Sequence, residues 1–163
     1  MSGSVSTHFA YNTPLGHVTI ASDGRAITAL AFGRQRLSGE ARATELTNRA
    51  ANQLQEYFAG KRRTFDLPLA PTGTDFQKRV WDALREVPFG ETRSYSEVAA
   101  SIDSPRSSRT VGGANNKNPL PIIIPSHRIV GANGSFSGSG KEVKIKAFLR
   151  DLERRALETE AGG

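Results

Sequence analysis

"SYSEVAASIDSPRSSRTVGGANN" (residues 94–116) is the stretch that decides the fold. Ser94 and Glu97 have capping-box spacing, so a helix opens at Tyr95. A second start follows, with Ser104 as N-cap and Pro105 at the first helical position. Two short helices joined by a tight turn make a helix-turn-helix, whose second helix is the one that enters a groove. That second helix is unusual. Apart from Arg109 and Val111, residues 107–114 are only Ser, Thr, Gly and Ala. The Gly112-Gly113 pair weakens a helix by roughly 1 kcal/mol per glycine relative to alanine. Small residues permit close approach. The surface approached is either a neighbouring helix or a DNA backbone, and both fit if different faces are used.

Working outward, "TDFQKRVWDALREVPFG" (74–90) predicts a helix capped by Thr74 and Gln77, with Phe76, Val80, Ala83, Leu84 and Val87 on its apolar face. Pro88 and Gly90 end it. "APTGT" (70–74) has linker chemistry and sets the expected boundary, giving domains 1–70 and 71–163. Before it, residues 7–33 alternate apolar and small polar side chains, broken at Pro14-Leu15-Gly16 and Asp23-Gly24, which reads as strands and tight turns. Leu46, Ala50, Leu54 and Tyr57 recur at helical spacing until Gly60, and "TFDLPL" (64–69) suits a short strand. Downstream, "NPLPIIIPSHRIVG" (118–131) reads as an extended segment entering a buried strand, then a reactive turn. Pro119 and Pro121 forbid regular pairing at its start. A glycine-rich loop (131–141) leads to a last helix from about Glu142 to Leu157, with Ile145, Phe148, Leu149, Leu152 and Ala156 as its stripe.

The bulk numbers narrow the function. The chain of 163 residues carries a net charge of +6, which favours polyanionic partners as well as simple solubility. From Ser104 to Lys141 there is no Asp or Glu, while Arg106, Arg109, Lys117, Arg128 and Lys141 fall there, so phosphate contact is the better reading of that segment. There is no cysteine, hence no disulfide and no thiolate, and His8, His17 and His127 lack zinc-site spacing. No metal or cofactor is expected. The first residues lack a signal-peptide pattern and no apolar run suits a bilayer, so a cytoplasmic protein is expected.

"TDFQKRVWDALREVPFGETRSYSEVAA" followed by "RTVGGANNKNPLPIIIPSHRIVG" resembles the O6-alkylguanine-DNA alkyltransferases, closely over 74–131 and more weakly through the last helix; "TPLGHVTIAS" (13–22) is similar to the family's first domain. The resemblance implies an α+β fold, a small N-terminal ribonuclease-H-like α/β domain followed by a C-terminal helical domain with a (winged) helix-turn-helix. It implies a monomer that binds double-stranded DNA through the minor groove and flips an alkylated guanine into a pocket. Arg109 matches the arginine that fills the vacated stack, and Tyr95 the tyrosine that crowds the target phosphate. Asn118 matches the asparagine bracing the active-site turn, His127 the base that reaches the reactive sulfur through water, and Glu153 its orienter. Arg106, Thr110, Gly112, Gly113, Ala114 and Lys117 complete the expected DNA face. Pro121, Ile122, Ile123, Ser126, Ser139, Gly140 and Lys141, with Tyr95, surround the expected lesion pocket.

Two departures stand out. The family carries Pro-Cys-His-Arg, and this chain has Ser126 in the cysteine's place. The family's tyrosine, small residues and Gly-Gly pair give way to Ser139, Gly140, Lys141 and Glu142. A Cys→Ser substitution made to trap a complex accounts for Ser126 alone, not for the changed loop or the absence of every cysteine. Two other readings follow. One is a lesion sensor that binds O6-alkylguanine and hands it to excision-repair proteins, as the alkyltransferase-like relatives do, although their usual replacement is Trp and this chain keeps an N-terminal domain. The other is hydrolysis, for example of a glycosidic bond, by Ser126, His127 and Glu153, which have the residue types of a triad. The His-Glu pair is inherited either way.

Overall fold

The computed structural model describes residues 5–162, and the chain divides into two compact units between Thr72 and Gly73. In the first unit, strands β1 (Thr7–Thr13), β2 (Gly16–Ser22) and β3 (Ile27–Phe32) form antiparallel neighbours, and β4 (Glu40–Ala41) pairs parallel to β1, in the order β3-β2-β1-β4. The β1–β2 turn is Pro14-Leu15, closed by the Thr13–Gly16 pair, with Gly16 at φ 89°. Helix α1 (Glu45–Phe58) starts at a Thr44–Thr47 capping box and buries Ala50, Leu54 and Tyr57. Val18, Ile20, Ile27 and Leu30 supply the sheet's share of this core. "TFDLPL" is not a strand. Only Leu69 bridges Ile27, because Pro68 has no N–H to extend a ladder and contributes only its carbonyl.

The second unit opens with α2 (Asp75–Arg85), whose Thr74–Gln77 box is formed as expected. Val80, Trp81 and Leu84 are its buried residues, and the Trp81 indole donates to the Ala114 carbonyl at 2.9 Å. Strand β5 (Arg93–Ser94) runs into α3 (Tyr95–Ser101), with the Ser94–Glu97 box in place. Helix α4 (Ser108–Asn116) follows, then a 3-10 turn (Ser126–Arg128), β6 (Ile129–Val130) and α5 (Gly140–Gly162). Helices α2, α3 and α4 pack on one another, and β5 pairs parallel to β6. The α+β architecture is the expected one.

Three local expectations change. Ser104 and Pro105 do not open α4. Asp103 takes φ 58°, and the Ser107 N–H donates to Ser104 O, so Pro105 sits in the second position of a turn, which its fixed φ suits as well as a helix start. Helix α4 begins at Ser108, with no side-chain cap on Ser107. The isoleucine run 122–124 is buried but is no strand: the Ile124 N–H donates to Leu120 O, and Ile122 is turned to φ 75°. Phe148 faces outward at 40% exposure, while Leu149 is buried.

Candidate functional site

The β5–β6 ladder assembles the site. Arg93 pairs with Ile129 and Ser94 with Val130. Tyr95 follows β5 directly and the Ser126–Arg128 turn precedes β6 directly, so residues some thirty positions apart converge. Asparagines brace the turn. Asn118 Nδ2 donates to Ile124 O at 2.8 Å while its Oδ1 accepts from the Leu120 N–H at 2.9 Å. Asn115, buried on α4, reaches Ser126 O at 3.4 Å. Helix α4 and the turn are thus joined by the Asn115 side-chain amide.

Ser126, His127, Arg128 and Glu153 are all buried. Glu153, from α5, accepts from His127 Nε2 at 2.5 Å, from Arg128 Nε and a terminal guanidinium nitrogen at 3.0 Å each, and from the Gly90 N–H at 2.9 Å. The other guanidinium terminus donates to Val87 O at 2.9 Å, and the Arg128 guanidinium lies 5.6 Å from the Phe89 ring centre. Burial works to raise the Glu153 pKa, but the hydrogen bonds and charges of His127 and Arg128 outweigh it and hold the carboxyl down at about 2. Burial pushes the His127 imidazole below its ordinary value, against the pull of Glu153. At neutral pH the cluster is therefore a carboxylate, a guanidinium and a neutral imidazole. A carboxylate only accepts, so Nε2 carries the imidazole proton and Nδ1 is the basic nitrogen.

The expected DNA face divides by burial. Arg106, Arg109, Thr110, Gly113 and Lys117 are exposed. Ala114 is buried at 4% exposure beneath the Trp81 indole, so it belongs to the core and leaves the DNA-facing set. Gly112 backs onto Tyr95: a Cβ there would meet the ring at 3.6 Å. A Cβ on Gly113 would meet nothing within 4 Å. The two glycines thus answer different demands, packing for one and open space for the other.

Of the expected pocket wall, Ile122 and Ile123 are buried and Pro121 is half-buried. Ser139, Gly140 and Lys141 are exposed. Ser139 and Glu142 bond reciprocally: the Glu142 N–H donates to Ser139 Oγ at 3.3 Å and the Ser139 N–H to Glu142 Oε1 at 3.4 Å. This is a capping box, and it starts α5 at Gly140 rather than Glu142. The S-x-x-E spacing was legible in the sequence. Sequence reasoning missed Asn115, Asn116, Ser137 and Lys146. The last three meet Tyr95 in one network, and only a fold could have joined them. Among the described residues no cluster suited to a metal ion occurs, and no helix is long and apolar enough to cross a membrane.

A helix-turn-helix with exposed arginines, tied to a turn whose buried His127 and Arg128 bond Glu153 of α5, has the form of a DNA-binding protein. The DNA-binding domain of 6-O-methylguanine DNA methyltransferase matches residues 75–155, and that enzyme's ribonuclease-like domain matches residues 8–71. The chain belongs to this DNA-repair family. It is 46% identical over 150 residues to a methylated-DNA–protein-cysteine methyltransferase of Methanosarcina barkeri, covering 89% of this chain and 95% of the relative. It is 44% identical over 151 residues to the constitutive enzyme of Bacillus subtilis, covering 87% and 92%. The crystal structure of Mycobacterium tuberculosis O6-methylguanine methyltransferase superposes with a TM-score of 0.85 at 38% identity, covering 93% of this chain and 94% of that one. The same organism's OGT in complex with DNA gives 0.84 at 39%, covering 92% and 94%.

Proposed function

We propose that this chain is a lesion-binding member of an alkyl-accepting family: it captures O6-alkylguanine in duplex DNA and does not take the alkyl group. One observation carries the reading. The supporting frame of the reactive turn is intact, from Asn118 to Glu153, while the position of the nucleophile holds a serine and the chain has no cysteine. Alkyl transfer is an in-line attack on saturated carbon. A thiol with a pKa near 8.5 yields a thiolate readily. An alcohol holds its proton far more tightly, and a buried imidazole of lowered pKa is a poor base for removing it. On adjacent positions of a 3-10 turn, Ser126 and His127 side chains diverge by about 120°. That divergence disfavours direct Ser-His proton transfer and supports binding over hydrolysis.

The DNA-facing roles fit the same reading. Tyr95 crowds the target phosphate, Arg109 occupies the vacated stack, and Arg106, Thr110, Gly113 and Lys117 approach the backbone. The test uses duplexes carrying O6-methylguanine labelled in the methyl group. Lesion-selective binding with the label left on DNA is the expected result. Label transferred to the protein overturns the reading in favour of an acceptor. An abasic product, lost in Ser126→Ala, overturns it in favour of a hydrolase.

A further inference from the structure

Lys146 lies on α5 with only 7% of its surface exposed. Its ammonium donates to Asn116 Oδ1 at 3.2 Å and to the Ser137 carbonyl at 3.0 Å. The Ser137 hydroxyl donates to the same Asn116 oxygen at 3.3 Å and meets the Tyr95 hydroxyl at 2.6 Å. In that last contact either hydroxyl can donate, so the Ser137 hydroxyl links Tyr95 to Asn116. The chain of bonds therefore runs from α5, through the end of α4 and the loop before α5, to the first residue of α3. The Tyr95 ring is held between Gly112 on one side and Ser137 at its tip.

Burying an ammonium is costly, and an apolar side chain of the same length fills the space without that cost. Burial presses the Lys146 pKa below its ordinary value, and the Glu142 charge opposes this. The two acceptors give the charge a local purpose. Ser137 is followed by Gly138 at φ 116°, and a glycine, having no Cβ, leaves the loop free to take other paths. The Lys146 bond to the Ser137 carbonyl fixes that path.

We propose that Lys146 is a positioning residue that acts through Ser137 on Tyr95, holding the phenol where it meets the target nucleotide. This rests on the reading of Tyr95 given under the proposed function. The test is a double-mutant cycle in the full chain with Lys146→Met and Tyr95→Phe. The readout is fluorescence of 2-aminopurine placed beside O6-methylguanine, which reports unstacking. Each single variant is expected to lower lesion-dependent unstacking affinity about tenfold, and the double variant to lower it no further. Additive losses would overturn the proposal, because a merely structural lysine does not depend on the Tyr95 hydroxyl.

A second measurement needs no DNA. The chain has three tyrosines, so their ring resonances are separable by NMR. Lys146→Met and Ser137→Ala should both shift the Tyr95 ring signals while leaving Tyr11 and Tyr57 in place. Unmoved Tyr95 signals overturn the proposal. If Lys146→Met does not fold, Ser137→Ala and Asn116→Ala complete the same cycle. If the unmutated chain shows no preference for the lesion, the lesion-binding reading fails, and the NMR comparison still decides the role of Lys146.

Discussion

His127 Nε2 lies 2.5 Å from Glu153 Oε2, and both residues are 1% exposed. The pair couples the Ser126–Arg128 turn to the last helix, and its protonation links the site to the stability of the fold. Glu153 falls from 4.5 to about 2 on folding, so it contributes stability above its unfolded pKa that is lost as pH drops toward 2. His127 is lowered from 6.5, so the unfolded chain takes up a proton before the folded one does, and stability falls as pH drops below 6.5. The signs agree: acid destabilises through both. Melting temperature is expected to fall in two stages, first below pH 6.5 and more steeply below 4.5. Thermal unfolding followed from pH 8 to pH 3 checks this, and a flat profile down to about pH 4 would contradict the histidine's share.

Glu153→Gln should be among the most damaging single changes in the second unit. It removes the charge that neutralises Arg128 and replaces one acceptor oxygen with a donor facing His127 and Arg128. Breaking a buried pair on one side costs roughly 3–5 kcal/mol, and urea unfolding of the variant measures it.

Ser126→Cys tests whether the frame remains competent. The thiol would occupy the same braced turn, and a thiol yields its proton far more readily than the serine hydroxyl does. The variant is expected to accept at most one methyl group per molecule from O6-methylguanine, where the unmutated chain accepts none. Mass spectrometry of the protein after incubation with methylated duplex reads the difference. A variant that binds the lesion yet stays unmodified would assign the block to residues 139–142.

Gly113→Ala separates packing from DNA approach. A methyl there meets no protein atom within 4 Å, and alanine favours the helix by about 1 kcal/mol. The variant should be more stable and bind DNA more weakly. Unchanged DNA affinity would remove the exposed face of α4 from the interface.

Lys117 and Arg106 are exposed, and each is expected to meet a phosphate. Replacing either with alanine should reduce the slope of log affinity against log salt by about 1, equally for damaged and undamaged duplexes. Titrations at several salt concentrations provide the slope. A loss confined to damaged DNA would assign that residue to lesion reading instead.

The helices and the site were legible in the sequence to different depths. Thr74–Gln77 and Ser94–Glu97 announce helix starts because capping is local chemistry, and both boxes are formed. The buried isoleucines were visible as buried but not as a turn. Hydrophobicity reports where a side chain goes, whereas the left-handed Ile122 lies in a turn held by the Asn118 bonds to the Leu120 N–H and Ile124 O, which no hydrophobic pattern encodes. Ser104-Pro105 misled because a turn and a helix start make the same demand on proline. The Tyr95–Ser137–Asn116–Lys146 network could not be read at all. Its members are polar residues with no shared period, brought together by packing. The β5–β6 pairing was equally silent, since two residues a side carry no strand pattern.

The Ser139–Glu142 bond pair has a consequence for any attempt to engineer alkyl transfer into this chain. Placing the family's tyrosine at 139 removes the hydroxyl that accepts from the Glu142 N–H and so uncaps the last helix, a loss of about 1 kcal/mol, while the 139 N–H that bonds the Glu142 carboxylate is kept. Glu153, His127's carboxylate partner, rides on that same helix. The 139–142 segment and the His127–Glu153 pair are therefore not independent traits. An engineer reviving the acceptor would do best to change 126 first, and to exchange 139 through 142 as one block.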